Sequence, residues 1–385
     1  MRQAERAIFD LRRGLPIVLR HQGAQTLVLA VEGLCDATLS AASTLTGASP
    51  ALVLSRHRMA ALGHVVTAEA VSLVFDQQPM ERELRALAWT RGAALPHGVQ
   101  LVDADQTNLA ALRLLARAQL VPAALAFAVP EAARSAVEHE LAGGQLLAVE
   151  ADEALRLCRS GPGLLTRVSE ARVPLAEAEN SRFVLFREAD GVHEHVAIVI
   201  GDPGRWPQAV PVRLHSSCLT GDLFGSLRCD CGEQLRRGVA AINEQGGGVL
   251  LYLSQEGRGI GLANKLRAYG LQDEGLDTID ADQVIGFSKD ERDFRVAHEM
   301  LDQLGIAKVM LLTNNPSKVE ALQRAGINVV ERQAIYGDVT RQNERYLQTK
   351  ADRHGHWLHD LLSEQDEPAS AEPERLPAPG TAGGA

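Results

Sequence analysis

Apolar residues along this chain fall into two kinds of run. Short continuous apolar stretches read as buried strands, and stripes of helical period lie between them. Near the N-terminus Ala4–Arg13 reads as a helix, and Pro16–Arg20 and Thr26–Val31 as strands. Leu109–Leu120, LAALRLLARAQL, carries apolar residues on one side and arginines on the other, as an amphipathic helix does. Ala123–Val129 reads as a buried strand, and Pro130–Ala142 as a helix opened by proline. Further along, Val196–Gly201 and Val249–Leu253 read as strands, and Leu262–Gly270 and Asp290–Leu304 as helices. Lys308–Leu312 is a strand that enters the turn TNNPSK. Pro316–Ala325 is a helix closed by Gly326, and Ile327–Glu331 a further strand.

This alternation predicts an α/β fold with ligand loops at strand ends. At 385 residues the chain exceeds one ordinary core, so two α/β domains are expected, at residues 1–166 and 167–362. Ser363–Ala385 holds four prolines and five acids without apolar periodicity, and is expected to be a disordered tail.

Composition narrows the function. Aromatics make up only 4%, so the core must come from Leu, Val, Ala and Ile. A net charge of −10 argues against a nucleic-acid surface, which needs an excess of Lys and Arg. The start MRQAERAIFDLRRG lacks an apolar signal core, and no apolar run reaches membrane-spanning length. The expected location is therefore the cytoplasm, where thiols stay reduced. The odd count of five cysteines agrees. Cys35 and Cys158, each alone in apolar surroundings, read as small buried hydrophobes.

The other three cysteines crowd into LHSSCLTGDLFGSLRCDCGEQL, Leu214–Leu235, spaced C-x10-C-x-C. One residue separates Cys229 from Cys231, so a tight loop can aim both sulfurs at one point. Cys218 can reach that point across a turn built from Gly221, Asp222 and Gly225. Three soft ligands suit Zn²⁺. A site with three protein ligands keeps a place for water, whereas a fourth ligand, with His215 the nearest, would make it structural. Catalytic zinc, structural zinc and three free thiols all stay open on spacing alone.

Downstream, LLYLSQEGRGIGLANKLRAYG sends an apolar strand into the turn Gln255–Gly261 and then a helix. Its glycines let backbone approach an anion, which a helix N-terminus favours. Arg258 adds a planar fork suited to phosphate, and Glu256 could accept from a base or bind a metal. A glycine-rich turn with solvated charges would read the same way. In TNNPSK, Thr313 and Lys318 could hold phosphate oxygens, although an ordinary surface turn is the better reading of a lone Thr and Lys. GFSKDERDF sets Asp290 and Arg292 two residues apart beside Glu291, a cluster that a solvated charge run also explains.

Taken together, RLHSSCLTGDLFGSLRCDCGEQL, LYLSQEGRGIGLANKLRAYGLQDEGLDT, GFSKDERDF, LLTNNPSKVEAL, GINVVER and YLQTKADRHGHWL closely resemble GTP cyclohydrolase II in order and spacing. The resemblance covers about Arg167–Leu358. It implies zinc-dependent opening of the guanine imidazole ring of GTP, releasing formate and pyrophosphate at the first step of riboflavin synthesis. The product would be 2,5-diamino-6-(5-phospho-ribosylamino)pyrimidin-4(3H)-one. Cys218, Cys229 and Cys231 would hold one catalytic Zn²⁺ per subunit, carrying a reactive water. Arg213, His215, Ser216 and Gln234 would line the nucleotide pocket. Glu256, Gly257 and Arg258 would contact the nucleotide through the glycine-rich turn, and Thr278 would face it. Asp290 would act as general base, Arg292 as nucleophile at the α-phosphorus, and Tyr269 would lie near the reacting ring. Thr313 and Lys318 would hold phosphates, with Mg²⁺ on the triphosphate. A homodimer is the assembly implied.

One departure is visible: the family often has RVHSEC, and here Ser217 stands where that Glu would be, removing a charge beside the pocket. An arginine nucleophile is also chemically awkward, because the guanidinium is effectively always protonated. Stabilisation of phosphate charge is the physically preferred role for Arg292. Two other classes compete: a paralogue that binds a nucleotide as a regulator without opening the ring, and an interaction module built on structural zinc.

The N-terminal stretch resembles a worn 3,4-dihydroxy-2-butanone 4-phosphate synthase. That family has an acidic loop, DDEDRENEGD, where this chain runs HQGAQTLVLAVEG, with no acid between Arg20 and Glu32. Its His-Thr-Glu motif falls on Gln106-Thr107-Asn108, where neither amide can titrate or serve as an anionic metal ligand. A catalytically silent domain is expected, acting as a scaffold or as a modulator of the second half.

Overall fold

The computed structural model describes residues 2–160, 165–340, 342–354 and 357. The expected tail, Ser363–Ala385, lies outside the described residues. Two seven-stranded sheets organise the rest.

The first sheet comprises β1 (Ile17–His21), β2 (Ala24–Ala30), β3 (Ala51–Ser55), β4 (Ala70–Val74), β5 (Gln100–Asp103), β6 (Ala123–Ala128) and β7 (Leu147–Glu150), in the order β5-β4-β3-β6-β2-β1-β7. Only β1 and β7 pair in parallel; the other neighbours are antiparallel. Successive residues serve opposite faces. Leu19, Val28 and Val53 join one core with the helices Arg2–Arg12, Gln106–Arg117 and Ala151–Ser160, while Val18, Leu27 and Leu54 join another with Asp36–Thr46 and Glu81–Trp89. Burial on both faces explains why these strands read as continuous apolar runs.

β1 and β2 are joined through Gln22 and Gly23, both at positive φ (48° and 81°), so the chain turns back in a tight hairpin. Gln106, Thr107 and Asn108 open a helix capped by Asp105, whose side chain accepts from the Asn108 amide at 2.8 Å.

The second sheet comprises β8 (Thr166–Arg172), β9 (Ser181–Arg187), β10 (Glu194–Ile200), β11 (Val210–Ser216), β12 (Gly248–Leu253), β13 (Lys308–Leu312) and β14 (Asn328–Gln333), in the order β14-β13-β11-β12-β10-β9-β8. The half from β14 to β12 is parallel, and β10, β9 and β8 continue it antiparallel. The C-terminal ends of β11, β12 and β13 therefore lie side by side, the usual place for a ligand in an open α/β sheet. One predicted helix is shorter than expected: it spans Arg295–Gln303, and Asp290–Phe294 is irregular. Here Asp290 and Asp293 accept from the amides of Arg292 and Arg295 at 3.1 and 2.9 Å, in competition with the helical ladder.

The two halves meet through buried polar groups. Arg117 donates to Glu188, and to Asp190 at 2.6 Å. Glu188 also meets His193 and His195, each at 3.0 Å, and Nδ1 of His195 accepts from the Ser254 amide just after β12. Burial pushes the Glu188 carboxyl up, but the two imidazoles and the Arg117 charge outweigh it and leave it well below the ordinary carboxylate range. Asn264 donates to the Gln119 carbonyl at 2.9 Å, and Arg267 pairs with Glu32 at 2.8 Å.

Removing Arg117 leaves Glu188 charged and buried. Arg117→Met is expected to destabilise the chain by about 3–5 kcal/mol, measured by denaturant unfolding near neutral pH. A depressed carboxyl stabilises above its unfolded pKa and loses that contribution as pH falls through the folded one. Stability should therefore drop below about pH 4, and less so in Glu188→Gln.

Candidate active site

β11 ends at Ser216, and the chain then turns through Cys218 into a short helix, Leu219–Asp222. Cys229 and Cys231 return to the same point at the start of the helix Cys231–Glu244. The sulfurs of Cys218, Cys229 and Cys231 all lie within 4.8 Å of one another, and those of Cys218 and Cys229 are 3.7 Å apart. That is far beyond a disulfide bond of about 2.05 Å. It matches the roughly 3.8 Å edge of a tetrahedron with Zn–S bonds of about 2.3 Å. Gly221 closes the cradle: a Cβ there would sit 2.7 Å from the Cys229 sulfur and 3.1 Å from that of Cys218. The donor set and its spacing fit Zn²⁺.

His215 does not join the sulfurs. Its Nε2 lies 3.1 Å from Asp222, and its ring stacks on Tyr252 at 5.6 Å. Burial lowers its pKa and favours the neutral ring. Among the described residues the cluster has no fourth His, Cys, Asp or Glu.

A cavity opens beside the thiols. It is lined by Arg213, His215, Ser216, Ser217, Gln234, Glu256, Gly257, Arg258, Tyr269, Thr278, Arg292 and Lys318 together with the cysteines. Residues scattered over more than a hundred positions in sequence thus share one wall. Two expected residues stand back from it. Asp290 lies behind Arg292 and receives its guanidinium at 2.8 and 2.6 Å. Burial pushes Asp290 up, but the Arg292 hydrogen bonds and charge win and hold it below the ordinary range. Thr313 accepts from the Asn315 amide at 3.1 Å, and Asn315 takes the lining position.

Sequence reading missed several groups. Lys265 is nearly buried and places its ammonium 3.1 Å from the Cys218 sulfur and 2.6 Å from Glu256. Asp222 holds His215, the Cys218 amide (2.9 Å) and the Tyr252 hydroxyl (2.9 Å) together. Asp282 joins the wall from the helix Thr278–Val284 and pairs with Arg258 at 3.5 Å. Lys265 sits one turn before Tyr269, a spacing that could have flagged it; Asp222 and Asp282 carry no local signal.

Several polar atoms of this wall are buried without a hydrogen-bond partner: Arg213 Nε, Ser216 Oγ, Gln255 Oε1 and Arg258 Nη1. Such atoms are uncommon in folded proteins and mark a place for a ligand or water. Arg258 adopts φ 64°, between Gly257 at 61° and Gly259 at 95°. A Cβ on Gly259 would meet the Glu291 carbonyl at 2.8 Å, so this glycine lets the turn lie against the Asp290–Arg292 segment.

Comparison with known proteins is decisive. The GTP cyclohydrolase II family profile matches residues 166–334. A GTP cyclohydrolase-2 from Azospirillum brasilense is 42% identical over 369 residues, covering 92% of this chain and 94% of that protein. The chain belongs to the GTP cyclohydrolase II family. It is an enzyme of the hydrolase class. A GTP cyclohydrolase-2 from Xylella fastidiosa is 40% identical over 92% of this chain. One from Haemophilus influenzae is 50% identical over 191 residues, half of this chain and 88% of that protein. A two-domain 3,4-dihydroxy-2-butanone 4-phosphate synthase from A. baumannii aligns over 87% of this chain and 99% of that one at 17% identity, but its TM-score of 0.32 carries no weight. No helix among the described residues is long and apolar enough to cross a membrane.

Two outcomes are expected. Gly221→Ala should lower the zinc content of purified protein severalfold, read by elemental analysis, with the far-UV spectrum unchanged. Burial pushes the Asp282 carboxyl up to about 7, against the pull of Arg258. A raised carboxyl favours the fold at low pH, and that contribution is lost as pH rises through about 7. Asp282→Asn should therefore flatten the fall in melting temperature between pH 5 and pH 8.

Proposed function

We propose that this chain opens the imidazole ring of GTP, releasing formate and pyrophosphate, as GTP cyclohydrolase II does in riboflavin synthesis. One observation carries this reading: three thiols at zinc-binding spacing share a cavity with Arg258, Arg292 and Lys318. A purine ring and a polyphosphate on one ligand need those two kinds of surface within one pocket. Cys218, Cys229 and Cys231 would hold the Zn²⁺, which supplies activation of water at neutral pH.

The overall reaction consumes three waters per GTP. The first adds at C8 and opens the ring to a formamide, the second hydrolyses that formamide to formate, and the third cleaves between the α- and β-phosphorus. Lys265 and Glu256, held together at 2.6 Å beside Cys218, orient groups around C8. Burial raises the Tyr269 hydroxyl pKa, so it keeps its proton and donates. Arg213 Nε, buried without a hydrogen-bond partner, and the Arg258 guanidinium, paired with Asp282 at 3.5 Å, supply donors to the nucleotide. Arg292, fixed by Asp290 through two hydrogen bonds, brings its charge to the phosphates. Because Asp290 stays ionised, it anchors Arg292, and charge stabilisation by that guanidinium is preferred over nucleophilic attack. Lys318 donates at 2.6 Å to the Leu214 carbonyl and adds charge on the same side. Mg²⁺ accompanies the triphosphate.

On this reading the active form is a cytoplasmic homodimer. The N-terminal domain is a silent 3,4-dihydroxy-2-butanone 4-phosphate synthase-like unit. The hairpin at Gln22–Gly23 and the amides Gln106 and Asn108 support its silence, since they offer no carboxylate cluster for a hard cation.

Zinc-loaded protein incubated with GTP and Mg²⁺ should release formate and pyrophosphate. Cys231→Ser should abolish formate release while the fold persists, and Arg292→Met should slow pyrophosphate release by about 10²–10³-fold. Nucleotide binding without formate from the wild type would instead favour the regulatory paralogue.

A further inference from the structure

The N-terminal domain grips the pocket from behind at one buried cation. Arg58 is 1% exposed and belongs to the helix Arg56–Ala61. Its Nε donates to the Leu87 carbonyl at 2.7 Å, and Nη2 to the carbonyls of Ala86 and Thr90 at 3.0 and 2.8 Å. These close the C-terminal end of the helix Glu81–Trp89. Its Nη1 crosses to the second domain and donates to the Val284 carbonyl at 2.8 Å. Val284 is the last residue of the helix Thr278–Val284, the one that carries Thr278 and Asp282 into the cavity wall. Beside it, Ser55 Oγ donates to the Gly286 carbonyl at 2.6 Å.

No ion pair between Arg58 and a carboxylate is seen among the described residues; backbone carbonyls at two helix C-termini take the charge, where the helix dipoles are negative. Burying a guanidinium this way costs free energy unless every donor is directed. The approach is close: Gly286 lies at φ 90°, and a Cβ there would meet Pro122 Cγ at 3.2 Å and Ser55 Oγ at 3.4 Å. From Gly286 the chain runs directly to Asp290 and Arg292, and the Glu291 amide donates to the Arg258 carbonyl at 3.1 Å.

We propose that Arg58 is a positioning residue for the nucleotide pocket: the N-terminal domain, without chemistry of its own, holds the C-terminal end of the helix Thr278–Val284 and the segment leading to Arg292. Arg58 touches no substrate and acts through Val284. The reading deepens the proposed function and rests on it for its kinetic part. Lysine cannot replace Arg58, because a single ammonium cannot fork to both helix ends.

The test uses the full chain, comparing Arg58→Met, Arg58→Lys, Ser55→Ala and, as a stability control, Val137→Ala. Val137 is buried in the N-terminal core on the helix Glu131–Ala142, away from the clamp. Arg58→Met is expected to lower kcat for formate release at least tenfold, with zinc content unchanged and KM for GTP within threefold. Arg58→Lys should recover little of it, and guanidinium ion at millimolar concentration should restore part of the turnover of Arg58→Met. Val137→Ala should lose stability while keeping kcat. Hydrogen exchange over residues 278–288 should accelerate in Arg58→Met, and more weakly in Ser55→Ala, without acceleration in β9 and β10. The proposal is overturned if Arg58→Met keeps kcat as Val137→Ala does, or if exchange over 278–288 is unchanged. Should Arg58→Met not fold, Ser55→Ala decides by the same two readouts. A wild type that releases no formate sinks the functional reading, and the exchange measurement then decides the clamp alone.

Discussion

Three sulfurs held within 4.8 Å of one another are the constraint around which the second domain is arranged. As thiolates they repel, and the trio is favourable only beside positive charge. Lys265 supplies one ammonium at 3.1 Å, and the hydrogen bonds of Cys229 and Cys231 with the Lys265 charge pull the Cys218 thiol far below its ordinary pKa. A divalent ion at their centre would complete the compensation, and thiolates are the form that would bind it. Everything nearby serves that point. Gly221 yields space, Asp222 fixes the Cys218 amide and turns His215 away, and Glu256 ties Lys265 to the glycine-rich turn.

The sheet explains why one place can hold both a soft metal and a polyphosphate. Parallel pairing of β11 with β12 and β13 brings three strand ends to one edge. β11 delivers the cysteine segment, β12 the Gln255–Gly261 turn and β13 the Asn315–Lys318 turn. The thiols line part of the resulting cavity. Guanidinium and ammonium groups, with unpaired donors among them, occupy other parts of its wall. The antiparallel strands β10, β9 and β8 carry no wall residues; the turn between β9 and β10 carries Glu188, Asp190 and His193, which meet Arg117.

The first domain contributes no residue to the cavity wall. Its strands are continuous apolar runs, and both faces of its sheet are packed. Arg58, Arg117 and Gln119 all bond to the second domain, at Val284, Asp190 and Asn264. Buried charges shared across a boundary resist separation, because parting the halves would strand a charge in each.

How much was legible from sequence depended on whether the signal was local. Apolar period located β6, β12 and β13 and the helices Leu262–Asp273 and Pro316–Arg324 to within a few residues, since core burial writes itself into neighbouring positions. The thiol trio was legible because its spacing is short. Strand pairing was not: the first sheet is mostly antiparallel although its elements alternate, since pairing is set by contacts between distant runs. Asp290–Phe294 read as helix because its charges tolerate one, and only folded side-chain competition for amides made it a loop. Whether His215 closed the metal site, which acid sat behind Arg292, and what held the far end of the pocket helix were decided by tertiary structure alone. Each depends on a partner tens to hundreds of positions away or on a turn direction. The residue types alone were compatible with more than one outcome.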